Sequence, residues 1–199
     1  MASDKNKEIK EPQNWKQSVL LYLHDLVYML LGIVLVFLLL FRIIVVSGDS
    51  MYSTLLDGDY LLLLSNLFYH EPEAGDIIVI SKETFDNGAP IVKRVIATEG
   101  QTVDIDFETG AVFVDGKELS EDYINSRTYD HRGVEFPLTV EDNCIFVMGD
   151  NRGVSLDSRY SQIGQIDRRE VLGKALFLVI PGTSHGMQQQ DFGRIGAIQ

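Results

Sequence analysis

One cysteine in 199 residues, Cys144, rules out an internal disulfide, so the fold of this chain stands without a covalent staple. Its neighbours in Cys144-Ile145-Phe146-Val147-Met148 read as a strand rather than the setting of an exposed reactive thiol. Positive charge is also scarce: 17 Lys and Arg stand against 29 Asp and Glu, a formal net charge of -12 at pH 7. A phosphate backbone repels such a surface, which sets aside nucleic acid as a partner. The four histidines, at 24, 70, 131 and 185, are scattered, and neither HExxH nor a paired Cys/His spacing occurs. Neither a metal nor another cofactor is therefore expected. Asp104, Asp106 and Glu108 resemble a calcium loop faintly, but the glycine falls one place late and the alternation around them fits a strand. No internal repeat is visible.

Apolar residues, by contrast, are abundant and unevenly placed. No charge occurs from Leu26 to Phe41, and after Arg42 the run resumes through Ile43, Ile44, Val45 and Val46. As a helix at ~1.5 Å per residue, residues 26–46 would be about 30 Å long, the thickness of a bilayer's hydrocarbon core. Arg42 near one end can snorkel to the headgroups. A cleavable signal peptide is the rival reading, since Ser47 and Gly48 follow; the run exceeds a usual signal core, which favours a retained transmembrane anchor. Lys5, Lys7, Lys10 and Lys16 precede it, so the positive-inside rule puts residues 1–25, a polar tail, in the cytoplasm. The expectation is a single-pass protein of the plasma membrane, with the lipid bilayer as partner and all that follows Val46 outside the cytoplasm.

Beyond the anchor the pattern changes to short apolar runs between turn residues: Tyr60 to Leu64, Asp76 to Ile80, Ile91 to Ile96, Val112 to Val114, Cys144 to Met148 and Ala175 to Ile180. These are strand lengths. Val103 to Glu108 alternates apolar and acidic residues, as a half-buried strand requires, and Asp115-Gly116 suits a tight hairpin turn. The fold class expected is mainly β: an N-terminal transmembrane helix, then a β-rich ectodomain over 47–182. The more polar stretch 104–143 reads as a small inserted lobe, and 183–199 as a flexible C-terminal tail.

Three segments carry chemistry. Ser50 lies in Gly48-Asp49-Ser50-Met51-Tyr52-Ser53-Thr54-Leu55, where Tyr52 occupies the glycine position of a nucleophile elbow and so excludes the α/β-hydrolase architecture. By itself Ser50 reads as a loop serine bonding its own backbone. Lys93 stands in the apolar strand Ile91-Val92-Lys93-Arg94-Val95-Ile96, where the plain reading is an edge charge that discourages aggregation. Adjacent strand residues point to opposite faces, however, so one of Lys93 and Arg94 is expected to be buried. A buried lysine loses hydration of its charged form, and the neutral amine can take a serine proton. The third segment, Gly149-Asp150-Asn151-Arg152-Gly153-Val154-Ser155-Leu156-Asp157-Ser158-Arg159, reads either as a polar surface loop or as a hydrogen-bonded loop that orients a site.

Together with Gly75-Asp76 before Ile77 to Ile80, these boxes resemble, in order, those of the type I signal peptidase family, bacterial leader peptidases with a serine/lysine dyad and here a single anchor. The resemblance spans Val46 to about Pro181. It implies a membrane-bound serine endopeptidase that cuts preprotein signal peptides after small residues at the outer face of the plasma membrane, near the secretion translocase. Position by position, it makes Ser50 the nucleophile, Lys93 the general base, Ser155 the hydroxyl that orients the lysine, and Asp157 with Arg159 a supporting ion pair. Met51, Ile91 and Val92 would line the substrate pocket. Two departures stand out. Ser53 occupies a place where many members have proline, and Gly48 one where some carry a serine that donates to the oxyanion. The backbone N–H of Ser50 then carries more of that role; one such donor is worth ~2.7–4 kcal/mol.

A lysine near pKa 10.4 needs a depression of roughly 2 to 3 units to act as a base at neutral pH, within the range known for buried lysines. Two alternatives stand beside this reading, a rival enzyme and a rival of another class. A self-cleaving repressor protease shares the dyad but would carry a DNA-binding head where this chain has an apolar helix. A catalytically silent, membrane-tethered scaffold would keep the fold without turnover.

Overall fold

The computed structural model describes residues 15–83, 85–183 and 189–198. It divides into two units, an N-terminal helix and a folded body from Leu40 onward. Helix α1, Trp15–Leu40, has 26 residues and buries none of them. Leu, Val, Met and other apolar residues fill it and proline is absent, so nothing breaks its backbone ladder. At ~1.5 Å per residue it is about 39 Å long, long and apolar enough to cross a membrane.

The expected anchor over 26–46 is thereby corrected at both ends. The helix begins at Trp15, inside the expected cytoplasmic tail, whose residues 1–14 lie outside the described residues. It stops at Leu40, and Phe41–Val45 is strand β1. The reason is the partner available to this end: β1 runs antiparallel to β2, Tyr60–Ser65, with Ile43 opposite Leu62 and Val45 opposite Tyr60. β-Branched Ile43, Ile44 and Val45 fit a pleated ladder better than a helical turn.

The strands that follow are β3 (Ile77–Ile80), β4 (Ile91–Thr98), β5 (Thr102–Asp106), β6 (Ala111–Val114), β7 (Lys117–Glu118), β8 (Leu138–Thr139), β9 (Cys144–Met148), β10 (Ile166–Asp167), β11 (Val171–Ile180) and β12 (Gly196–Ala197). Each run expected as a strand lies on one of them. The larger sheet has the order β1-β2-β11-β3-β4-β9-β10, with β12 added to β11; the smaller has β7-β6-β5-β8. All recorded pairings are antiparallel. The smaller sheet is inserted between β4 and β9, where the small lobe was expected. Its β6–β7 hairpin turns on Asp115 and Gly116, with φ of 53° and 76°, the positive values this turn requires. Strand β5 ends at Asp106 rather than running on to Glu108, because the Asp106 carboxylate caps a turn by accepting from the N–H groups of Glu108 and Thr109.

Three buried clusters hold the body together. One, under the Ser50 segment, joins Val46, Met51, Leu55, Leu61, Leu63 and Val92. A second packs Ile78, Ile80, Val95, Ile145, Val147 and Ile166. The third couples the two sheets through Ile96, Val103, Ile105, Val112, Phe146 and Met148. Past Pro181 the expected flexible tail is corrected too. Residues 184–188 and 199 lie outside the described residues, but Phe192–Arg194 forms a 3-10 turn and Gly196–Ala197 pairs with Phe177 and Leu178 of β11. Ile198 packs against the first cluster, so apolar burial and a strand edge fix this segment.

Candidate active site

Ser50 lies in a loop whose neck is closed by two backbone bonds, Val46 N–H to Asp59 O at 2.8 Å and Gly58 N–H to Val46 O at 2.9 Å. Inside it, Leu55 N–H donates to Met51 O at 2.9 Å, and both side chains are 1% exposed. Met51 is thus a core pin beneath the loop and not a wall of the cleft described below, as was expected of it. The turn that raises Ser50 drives its neighbour's apolar side chain inward. Gly48 takes a φ of 83°, which suits glycine, and its N–H donates to Asp57 Oδ1 at 2.8 Å.

Lys93 comes from β4, an interior strand paired with β3 on one side and β9 on the other. Its Nζ lies 2.8 Å from Ser50 Oγ and 2.9 Å from Val92 O. The residue is 3% exposed. Burial drives its pKa down from the ordinary 10.5 to about 8; the negative charges of Asp157 and Asp150 oppose that, and Arg159 adds to it. An amine so depressed is partly neutral near pH 7.5–8, and in that form it can accept a proton from the hydroxyl it touches.

Where one buried cation was expected in the Lys93-Arg94 pair, both are buried, on opposite faces of β4. Arg94 is 3% exposed and forks onto Asp150, Nε to Oδ1 at 2.9 Å and Nη2 to Oδ2 at 2.8 Å. Its Nη1 donates to Gly75 O at 2.9 Å, and its guanidinium stacks 4.0 Å from the centre of the Tyr123 ring. Asp150 Oδ2 also accepts from Thr54 Oγ1 at 2.6 Å. Asn151 grips the Ser50 loop directly: its N–H donates to Ser50 O at 3.0 Å and its Nδ2 to Asp49 O at 3.0 Å. Asp150, Asn151 and Thr54 were not singled out in the sequence, and Arg94 only as a residue that burial could claim. Their signal was present in the boxes, yet which carboxylate meets which cation is invisible without the fold.

Asp157 and Arg159 form the ion pair implied for them, Nε to Oδ1 at 2.8 Å and Nη2 to Oδ2 at 2.9 Å, both fully buried. Asp157 Oδ2 also accepts from Gly149 N–H at 3.0 Å. Ser155 is buried beside Gly149, but its Oγ has no hydrogen-bond partner among the described residues. The bond to Lys93 that the resemblance implied is therefore not made here. Ser155 N–H bonds Asn151 O at 2.9 Å, and the loop's own turn sets where that hydroxyl points.

A cleft of about 410 Å³ leads to the pair. Its walls are Ile44, Val45 and Val46 on one side and Pro90, Ile91 and Val92 on the other, with Ser50 and Lys93 among the lining residues. Among the described residues no group of three or more His, Cys, Asp or Glu could hold a metal ion. An alcohol touching a largely dehydrated amine, beside an apolar cleft, is what a serine hydrolase requires when histidine does not serve it.

Comparison with known proteins narrows this class. The family described as "Signal peptidase, peptidase S26" matches residues 19–180. "Probable signal peptidase I-1" of Synechocystis sp. is 37% identical over 170 residues, covering 79% of this chain and 83% of that one. "Signal peptidase I" of Bacillus amyloliquefaciens is 35% identical over 158 residues, covering 75% and 78%. A crystal structure of a signal peptidase I from Enterococcus faecalis is 31% identical, covers 52% of this chain and 96% of that one, and gives a TM-score of 0.42. The chain belongs to the signal peptidase, peptidase S26, family and is a serine endopeptidase. Its apolar N-terminal helix fits a single-pass membrane protein.

Proposed function

We propose that this protein removes signal peptides from exported preproteins at the outer face of the plasma membrane, with Ser50 as nucleophile and Lys93 as general base. The observation that carries the reading is the 2.8 Å contact between Ser50 Oγ and a lysine amine that is 3% exposed. Ser50 Oγ attacks the scissile carbonyl carbon as its proton passes to Lys93 Nζ. The tetrahedral intermediate collapses, the C–N bond breaks, and the Lys93 ammonium gives that proton to the departing amine. Water then attacks the Ser50 ester, losing a proton to Lys93, and the acid product leaves as Ser50 recovers its hydrogen. The backbone N–H of Ser50 serves the oxyanion, where Gly48 offers no hydroxyl.

Residues preceding the scissile bond lie in the apolar cleft between Ile44–Val46 and Pro90–Val92, which admits small and aliphatic side chains. The Asp157–Arg159 ion pair supplies charges that act on the lysine, and Ser155 packs beside Gly149 without a bond to that lysine. The four lysines at 5, 7, 10 and 16 favour a cytoplasmic N-terminus, so α1 crosses the bilayer and the body from Leu40 onward works outside, near the secretion translocase. Cleavage of a model preprotein in detergent or proteoliposomes tests the assignment. Wild type processes it, while Ser50→Ala and Lys93→Ala do not; equal processing by Ser50→Ala removes the nucleophile from Ser50.

A further inference from the structure

Asp59 is a fully buried carboxylate with no part in the acyl-transfer steps, yet it stands at the neck of the Ser50 loop. Four N–H groups converge on it. Leu56 N–H donates to Oδ2 at 2.7 Å and Gly182 N–H to Oδ1 at 2.7 Å. Arg194 supplies the other two, Nη1 to Oδ1 at 2.9 Å and Nη2 to Oδ2 at 2.7 Å. The same Nη2 reaches Thr54 O at 3.3 Å, and Thr54 Oγ1 in turn bonds Asp150, the partner of Arg94 beside Lys93. One guanidinium thus touches the neck of the nucleophile loop and a residue that ties it to the lysine's strand.

Arg194 lies beyond the residues that match the family, which end at 180. Its segment is held from several sides. Asp191 Oδ1 accepts from Gly193 N–H at 2.9 Å, β12 pairs with β11, and Ile198 N–H donates to Leu176 O at 3.0 Å. Ile198 packs against the cluster that contains Val46, Met51 and Leu55, the apolar pins of the Ser50 loop. The loop itself has no regular strand or helix to fix it, so its position rests on such anchors.

Resting on the assignment of Ser50 as nucleophile, we infer that Arg194 is a positioning residue: segment Asp191–Ile198 is a strap that sets the nucleophile loop against Lys93 through Asp59 and Thr54. Without the guanidinium, a buried carboxylate keeps only backbone donors, water is drawn to the neck, and the loop relaxes. Of the cleft walls Ile44, Val45, Val46 and Pro90–Val92, only Val46 belongs to the neck, so loss of the strap disturbs the Ser50–Lys93 alignment more than substrate affinity. A misplacement of about 1 Å costs up to ~100-fold in rate.

The test uses the full chain in detergent and compares wild type, Arg194→Ala, Arg194→Lys and Ser50→Ala, each with its folded fraction measured by urea unfolding. In Arg194→Ala, kcat per folded molecule falls ~10-fold or more while KM stays within about twofold, and millimolar guanidinium restores much of the loss. Arg194→Lys, which keeps the charge but not the fork, falls between. Guanidinium changes neither wild type nor Ser50→Ala. A kcat per folded molecule within about twofold of wild type in Arg194→Ala, or in Arg194→Lys should the alanine variant not fold, overturns the strap and leaves the Ser50 assignment standing. Wild-type turnover by Ser50→Ala overturns that assignment and the strap with it.

Discussion

Arg94 and Asp150 face each other through two parallel bonds of 2.9 and 2.8 Å, one residue along β4 from Lys93. Because consecutive residues of a strand diverge, the same strand sends an amine toward Ser50 and a guanidinium toward the loop that holds Ser50. Asn151, the residue after Asp150, then bonds the Ser50 carbonyl. The distance between Ser50 and Lys93 is thereby tied to a chain of buried polar contacts with testable consequences.

The fork on Asp150 has a shape that a point charge does not copy. Arg94→Lys lowers kcat by ~10-fold, because the loop loses its bidentate hold. Arg94→Ala leaves Asp150 buried without its cation and costs about 3–5 kcal/mol in urea unfolding. Wild-type turnover and stability in both variants would remove Arg94 from the support of the site.

With Lys93 as the proposed general base, activity is expected to follow its ionisation. The amine, lowered to about 8 by burial, is a base only when deprotonated. A plot of log kcat/KM against pH therefore rises with a slope near one below about pH 8 and levels above it. A profile flat from about pH 6 to about 9 would assign the base elsewhere.

The same shift makes stability depend on pH. Lys93 is lowered from 10.5 to about 8 on folding, so between those values the unfolded chain binds the proton that the folded one gives up. Stability therefore rises with pH across that window and is lowest below it, by about 3 kcal/mol. Lys93→Met removes this slope and is the more stable protein at neutral pH by ~1–3 kcal/mol, although inactive. Urea melts of both proteins at about pH 7 and about pH 9.5 measure the difference; an unchanged slope in Lys93→Met would show that other groups cause it.

Gly149 has no room for a side chain. A methyl group there would overlap Ser155 Oγ and the carbonyl oxygen of Ser50, and the latter is backbone that cannot swing aside. Gly149→Ala displaces the Ser50 loop and lowers kcat ~100-fold or more. Near-normal turnover in a folded Gly149→Ala protein would mean that the loop tolerates movement.

The hydroxyl of Ser155 is buried with no partner among the described residues, a state that costs stability. Ser155→Ala is therefore more stable than wild type by ~1 kcal/mol in urea unfolding. Destabilisation by a similar amount would show that the hydroxyl makes a hydrogen bond in the resting enzyme.

Much of the fold was legible in the order of residues, for local reasons. Strand-length apolar runs, the alternation of Val103 to Glu108 and the Asp115-Gly116 turn each report a backbone period or a φ requirement that neighbours impose, and each marks an element that forms, although the alternating strand stops at Asp106. The kinds of chemistry were legible too: one serine after an apolar run, one lysine within an apolar strand, a loop dense in Asp, Asn and Arg. The helix end was not, because an apolar run interrupted only by Arg42 suits a membrane helix and a strand alike until a partner appears. Tyr60–Leu64 is that partner, and it claims Phe41–Val45.

What remained was decided by contacts between distant positions. Ser50 and Lys93 are 43 residues apart, Arg94 and Asp150 56, and Asp59 and Arg194 135. Local propensity carries no information about such pairs, since burial and desolvation belong to the packed body and not to any segment of it. The sequence by itself put an alcohol, an amine and their charged supports in the chain. Tertiary packing buried the amine, turned Met51 inward, and folded the C-terminal segment back onto the Ser50 loop, because only a closed core can withdraw a lysine from the water that stabilises its charge.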